Sequence, residues 1–183
     1  MILIDEEIKC KSRSDIFDIY PLGDVHLGAR NCAEKPLREH VKTIFNDPNA
    51  RVILGGDMTN LVTPVDVMRF DMDVLPDWML RGSESTIRKR LNDVAFQERK
   101  RIQDILRPIS KKILGAIEGN HEFQMRKRHN YYTHQLLCDE LGATDLTDEA
   151  VLRLRFIRQK AVSTVVIYLC HGWGGGRTAG AES

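Results

Sequence analysis

The chain has 183 residues, 42% of them hydrophobic, enough to bury a sizeable core and most simply one domain. Its 27 Lys and Arg nearly cancel its 26 Asp and Glu, leaving a formal charge of +1, so no global field directs it to nucleic acid or to an anionic membrane. The acidic start MILIDEEIKC lacks the basic opening and long apolar stretch of a secretory signal, and the longest apolar run, Val165 to Cys170, is far too short to span a bilayer. A cytoplasmic protein with no membrane partner is expected.

Ile2–Cys10 and Ile16–Leu22 read as strands, the second leading straight into Gly23-Asp24. Pro36–Asn46 places Leu37, Val41, Ile44 and Phe45 at helical spacing, and Arg51–Leu54 is a short buried strand ending in Gly55-Gly56-Asp57. Pro64, Pro76 and Gly82 punctuate 61–82, which is expected to run as an excursion over the surface. Ser83 or Ser85 then offers an N-cap for one long helix to about Leu106, with a mixed-sign charged face, Glu98 and Arg99 included, expected to be solvated.

Lys112–Ile117 reads as a strand delivering Glu118-Gly119-Asn120-His121, and Tyr131–Leu141 as a helix ending at Gly142. Val151–Arg158 alternates apolar and basic residues, the period of a half-exposed strand, and Ala161–Cys170 pairs with it as a hairpin ending at His171. Gly172–Ser183 shows no assignable pattern. Cys10, Cys32, Cys138 and Cys170 are scattered without a Cys-x-x-Cys pair and are expected to be reduced thiols, Cys170 buried at its strand end.

Four motifs sit just past predicted strands: Gly23-Asp24-Val-His26-Leu-Gly28, Gly55-Gly56-Asp57-Met-Thr-Asn60, Gly119-Asn120-His121-Glu122, and His171. Strand–loop–helix connections bring such positions to one rim of an open sheet, where α/β proteins build their sites. Two Asp, two His and an Asn form a mixed oxygen and nitrogen set suited to borderline and hard divalent ions. A carboxylate bridging two ions about 3.5–4 Å apart allows two-metal hydrolysis.

These blocks resemble the calcineurin-like metallophosphoesterase superfamily, whose members share D-x-H, G-D-x-x-(D/N), G-N-H-(D/E), H and G-H-x-H. The resemblance extends from Leu22 to His171. It implies an α/β fold, a layered β-sandwich flanked by helices, and hydrolysis of phosphodiesters or phosphomonoesters by metal-bound hydroxide at two divalent ions. Mn²⁺ is the first choice, with Zn²⁺, Fe²⁺ or Mg²⁺ as alternatives. Asp24 and His26 resemble ligands of one metal, Asp57 the bridging carboxylate, and Asn120 and His171 ligands of the other. His121 resembles the catalytic histidine beside the phosphate, and Asn60 a buttress of its loop. Glu118 stands where protein serine/threonine phosphatases carry Arg, and the Val-Asp-Arg-Gly continuation is missing, which argues against that branch.

The chain stops twelve residues after His171 and contains no G-H-x-H, so the fold is expected to be incomplete at the C-terminus and the chain a fragment. The alternative function is therefore a catalytically impaired fragment or binding module with at most one weak metal site. Arg30, just past the first block, and Arg126, in the run Arg126-Lys127-Arg128-His129, are candidates for contacting a phosphoester or a nucleic-acid backbone, each weighed against an ordinary solvated arginine. His40, His129 and His134 are expected to stay outside the metal site.

Overall fold

The computed structural model describes residues 1–66 and 68–172. Short apolar runs become parallel strands wherever a helix returns the chain across the sheet. β2 (Ile19–Leu22) leads through α1 (Glu34–Asn46) into β3 (Arg51–Leu54), and β4 (Ile113–Ala116) leads through two helices into β5 (Thr144–Asp145). These four strands form one parallel sheet in the order β2-β3-β4-β5. A second sheet has the order β1-β6-β7, with β1 (Ile2–Lys9) parallel to β6 (Glu149–Arg158) and β6 antiparallel to β7 (Ala161–Cys170).

Alternation along the strands makes three layers. On β3, Val52 and Leu54 face a helical layer built from Leu37 and Ile44 of α1, Ile102 and Leu106 of α4 (Val94–Leu106), and Leu137 and Leu141 of α6 (Thr133–Leu141). The residue between them, Ile53, points the other way and meets Ile8, Leu152 and Leu154 of the second sheet, with Leu114, Phe156 and Leu169 around them. The mixed α/β architecture accords with the sequence pattern. Phe17 and Phe156 close one end at 5.7 Å between ring centroids.

The structure differs from the expected elements in three places. The predicted long helix is broken into α3 (Glu84–Leu91), capped by Ser83, and α4, capped by Asp93, whose side chain accepts from the Phe96 amide at 3.2 Å. The aspartate satisfies an orphan N–H and holds an extended φ of −146°, which ends the first helix and starts the second. α5 (Asn120–His129) was not foreseen, because Phe123 and Met125 among charged neighbours make no apolar stripe. Cys170 is exposed, since β7 keeps most of its residues in solvent.

The 61–82 excursion is largely irregular, with a 3-10 turn at Met72–Val74 and a one-turn helix α2 (Asp77–Leu80). Leu75 and Met79 anchor it against Val94, and Arg101 stacks over Trp78 at 4.7 Å. No helix among the described residues is long and apolar enough to cross a membrane. Of the tail Gly172–Ser183, residues 173–183 lie outside the described residues.

Candidate metal centre

β2, β3 and β4 end at one rim, and the segments that follow them carry Asp24, Asp57 and Asn120; β7 arrives from the second sheet and is followed by His171. The first two loops are zipped together by main-chain bonds: Asp24 N to Gly56 O at 3.0 Å, His26 N to Asp57 O at 2.9 Å and Leu27 N to Met58 O at 3.1 Å. Asp24, His26 and Asp57 take left-handed φ values of 51°, 47° and 48°. Strain of that kind costs about 1–3 kcal/mol per residue and persists where the surroundings over-determine the geometry, as they do at functional sites.

Asp57 is the centre of the arrangement and is 2% exposed. Its Oδ1 accepts from the His121 amide at 2.8 Å, at the N-terminus of α5, which fixes the carboxylate's orientation. Its Oδ2 then lies 3.3 Å from His171 Nε2 and 3.8 Å from His26 Nε2. His171 Nε2 is also 3.2 Å from Asn120 Oδ1, and His26 Nε2 is 3.8 Å from Asp24 Oδ1. Donors held at about 2.1 Å by one ion are spaced about 3.0–3.4 Å at tetrahedral or octahedral angles, so the His171–Asp57 and His171–Asn120 pairs already have ligand spacing, with the His26 pairs to Asp57 and Asp24 slightly more open. Two donor groups, His26–Asp57–His121 and Asp24–Asp57–His171, each lie within 4.8 Å, and Asp57 belongs to both.

The imidazoles are oriented by carbonyl groups. His171 Nδ1–H donates to Gly55 O at 2.6 Å and His121 Nδ1–H to Asn60 O at 2.5 Å, leaving each Nε2 free to face the cluster. The expected buttress at Asn60 therefore acts through its main-chain carbonyl. Burial works against a charged His171, but the Gly55 carbonyl and the Asp57 and Asp24 carboxylates outweigh it and raise its pKa. His26 and His121 pack edge to face, 4.7 Å between centroids.

Glycine is required at two of these turns. A Cβ on Gly119 would stand 2.1 Å from Asp57 N and 2.2 Å from its Oδ1. Gly56 has φ +90° and a Cβ there would come within 2.7 Å of His171 Nδ1.

Glu122 and Glu98 carry roles that the sequence reading did not assign. Glu122, buried, accepts from Asp57 N at 3.0 Å and from both the amide (3.1 Å) and hydroxyl (3.0 Å) of Thr59. Burial raises its pKa, Thr59's amide opposes the shift, and the Asp57 charge adds to it. Glu98, expected on a solvated face, is fully buried and accepts from Leu61 N at 2.8 Å, next to the Asn60 carbonyl that holds His121. Burial pushes its carboxyl up to about 8. The signal was present: residue 98 stands four after Val94 and four before Ile102, on the apolar stripe itself. Arg99 is also buried, paired with Glu140.

The two candidate phosphate-binding arginines are engaged elsewhere. Arg30 donates to the Asp73 carbonyl at 3.1 Å and ties the excursion down. Arg126 makes a two-pronged pair with Glu118 at 2.9 and 2.6 Å. His40 is exposed, and His134 is buried in α6 with its Nε2 3.0 Å from Asp145, away from the cluster. No protein-family model, curated protein or solved structure matches the chain.

Proposed function

We infer that the chain is a metal-dependent phosphoester hydrolase of the calcineurin-like metallophosphoesterase type, acting on phosphodiesters or phosphomonoesters, nucleic acid among them. The observation that carries this reading is Asp57 Oδ2, a buried carboxylate oxygen lying between His26 and His171, with Asp24 and Asn120 on its two flanks. Asp24, His26 and Asp57 would hold one ion, and Asp57, Asn120 and His171 the other. The donor set of carboxylate, imidazole and amide oxygen suits Mn²⁺, with Zn²⁺, Fe²⁺ and Mg²⁺ also compatible. When bound, the pair supplies Lewis-acid neutralisation of phosphate charge and an activated water.

The chain's own residues do the rest. His121 cannot turn, because its Nδ1–H is held by Asn60 O, so Nε2 faces the cluster and serves the departing oxygen. As the ester P–O bond breaks, a proton on that nitrogen passes to the alkoxide and the alcohol leaves; water supplies the oxygen that the phosphate gains. Glu122 holds Asp57 and Thr59 in register while this occurs. The side chain of Asp24 is 74% exposed beside a buried Asp57, so the cluster opens to solvent on the side from which a substrate enters.

Calorimetric titration with Mn²⁺ together with hydrolysis of bis(p-nitrophenyl) phosphate tests the reading. The wild type should bind Mn²⁺ and turn over, and Asp57→Asn should lose both properties. His121→Ala should keep the metals and lose about 10²- to 10⁴-fold in rate. Absence of Mn²⁺ heat, with equal background rates in all three proteins, refutes it.

A further inference from the structure

The cavity nearest His121 leads away from the metal-ligand cluster. About 300 Å³ in volume, it is walled by His121, Gln124, Arg128 and His129 of α5 and by Thr63 and Arg69 of the excursion. It shares Thr63, Val65, Met125 and His129 with a larger hollow of about 820 Å³. That volume lies in the range of small-molecule sites, about 300–1,000 Å³.

The hollow is formed where the excursion folds over the break between α3 and α4. Ile87, Leu91, Val94 and Ala95 make its apolar base, with Phe70 and Tyr131 beside them. Asn92, Asp93 and His129 bring polar groups to its wall. The lip is uncovered: Val65 is 73% exposed, and Met68, on the His121 side, 89%. Between the hollow and His121, Arg69 is paired with Asp66, whereas Arg128 has no ion pair among the described residues.

We propose that this hollow seats the leaving-group half of the substrate, and that this half is a flat aromatic body, a nucleobase or an aryl ring, esterified to the phosphate. The placement rests on the hydrolase reading, because His121, in the wall of the smaller cavity that adjoins the hollow, is the residue that faces the departing oxygen. The group attached to that oxygen therefore extends from the cluster past Arg128 and into the hollow. Apolar walls with two aromatic side chains favour a ring over an alkyl chain, and Asn92 and Asp93 give hydrogen-bonding partners to the edge of a base. The break at Asp93 has a use in this arrangement: it opens the helical layer where the ring sits.

Phosphonates, whose carbon–phosphorus bond resists hydrolysis, test this on the full chain with Mn²⁺ by calorimetry. The probes are methylphosphonate, octylphosphonate, 1-naphthylmethylphosphonate and the methylenephosphonate analogue of adenosine 5′-phosphate. The naphthyl or adenosine probe should bind at least tenfold tighter than methylphosphonate, and tighter than the octyl probe. Whichever of the two binds more tightly identifies an aryl ester or a nucleotide. Ile87→Trp, which fills the hollow, and Val65→Asp, on the exposed lip where folding is not at stake, should each erase that advantage and leave methylphosphonate binding unchanged. Equal binding of all four probes, an octyl preference, or an advantage surviving both variants overturns the proposal. If the aromatic preference is present and sensitive to the variants but no hydrolysis occurs, the hydrolase reading fails and the hollow stands as a binding site. Hydrolysis without the preference removes the hollow alone.

Discussion

Glu98→Gln should make the protein more stable at alkaline pH. The Glu98 carboxyl is fully buried, its Oε2 accepts from Leu61 N at 2.8 Å, and its Oε1 has no hydrogen-bond partner among the described residues. Burial and the neighbouring Glu122 push its pKa from 4.5 to about 8. Below 4.5 the group is protonated whether the chain is folded or not. Above it the unfolded chain ionises while the folded chain keeps the proton, so stability falls by up to about 1.4 kcal/mol per pH unit until the folded group ionises near 8. The loss across that window is about 4–5 kcal/mol. Glutamine preserves the carbonyl acceptor for Leu61 and places an amide where Oε1 stood, without a titration. Urea unfolding of wild type and variant at pH 5, 6, 7, 8 and 9 measures the difference. It should be near zero at pH 5 and grow to several kcal/mol in favour of glutamine at pH 9. Glu122 and Cys32, the titratable groups coupled to Glu98, are present in both proteins, so their contributions cancel to first order. Parallel stability curves across the series would refute the buried-acid assignment.

Gly119→Ala drives a methyl to 2.1 Å from the Asp57 amide, and because the obstacle is backbone it should cost about 1–3 kcal/mol in thermal or urea unfolding and abolish Mn²⁺ binding. Glu122→Gln puts an amide donor against either Asp57 N–H or Thr59 N–H, both of which need an acceptor, and should destabilise by about 1–3 kcal/mol in urea. Arg126→Ala removes a partly exposed pair with Glu118 and should change stability by under about 1 kcal/mol; KM for a phosphodiester should stay within twofold of wild type, since the guanidinium is already engaged.

What could be read from the sequence was whatever a local pattern specifies. Val52-Ile53-Leu54 followed by Gly-Gly-Asp fixes a buried parallel strand and the turn after it, and β3 occupies those residues. The hairpin of β6 and β7 follows from the alternation of Leu152 and Leu154 with Arg153 and Arg155. The order of blocks likewise put Asp24, His26, Asp57, Asn120, His121 and His171 at strand ends, and these side chains converge on one rim. Contacts between distant segments were not legible. Nothing local says that Arg126 reaches Glu118, that Arg30 reaches the Asp73 carbonyl, or that Glu98 closes under Leu61. α5 escaped because its purpose is to present the His121 amide to Asp57 rather than to bury an apolar stripe, so its sequence carries no period.

The origin of His171 ties the site to the whole sandwich. Asp24, Asp57 and Asn120 extend from one sheet, but His171 extends from the other, and it meets the first through Gly55 O, Asp57 Oδ2 and Asn120 Oδ1. The position of its ring therefore depends on how β6 and β7 sit over β3, which is set by Ile53 against Leu152 and Leu154. A metal held between the sheets, as proposed, would add its binding free energy to that packing, and packing defects there would subtract from metal affinity in equal measure, because the two equilibria would be linked. The Asp24–His26 half depends less on that packing: both residues lie in the loop after β2, which main-chain bonds join to the loop after β3, although Asp24 also comes within 4.8 Å of His171. The two halves of the proposed centre thus differ in what holds them, and loss of sheet packing should open the Asn120–His171 half first.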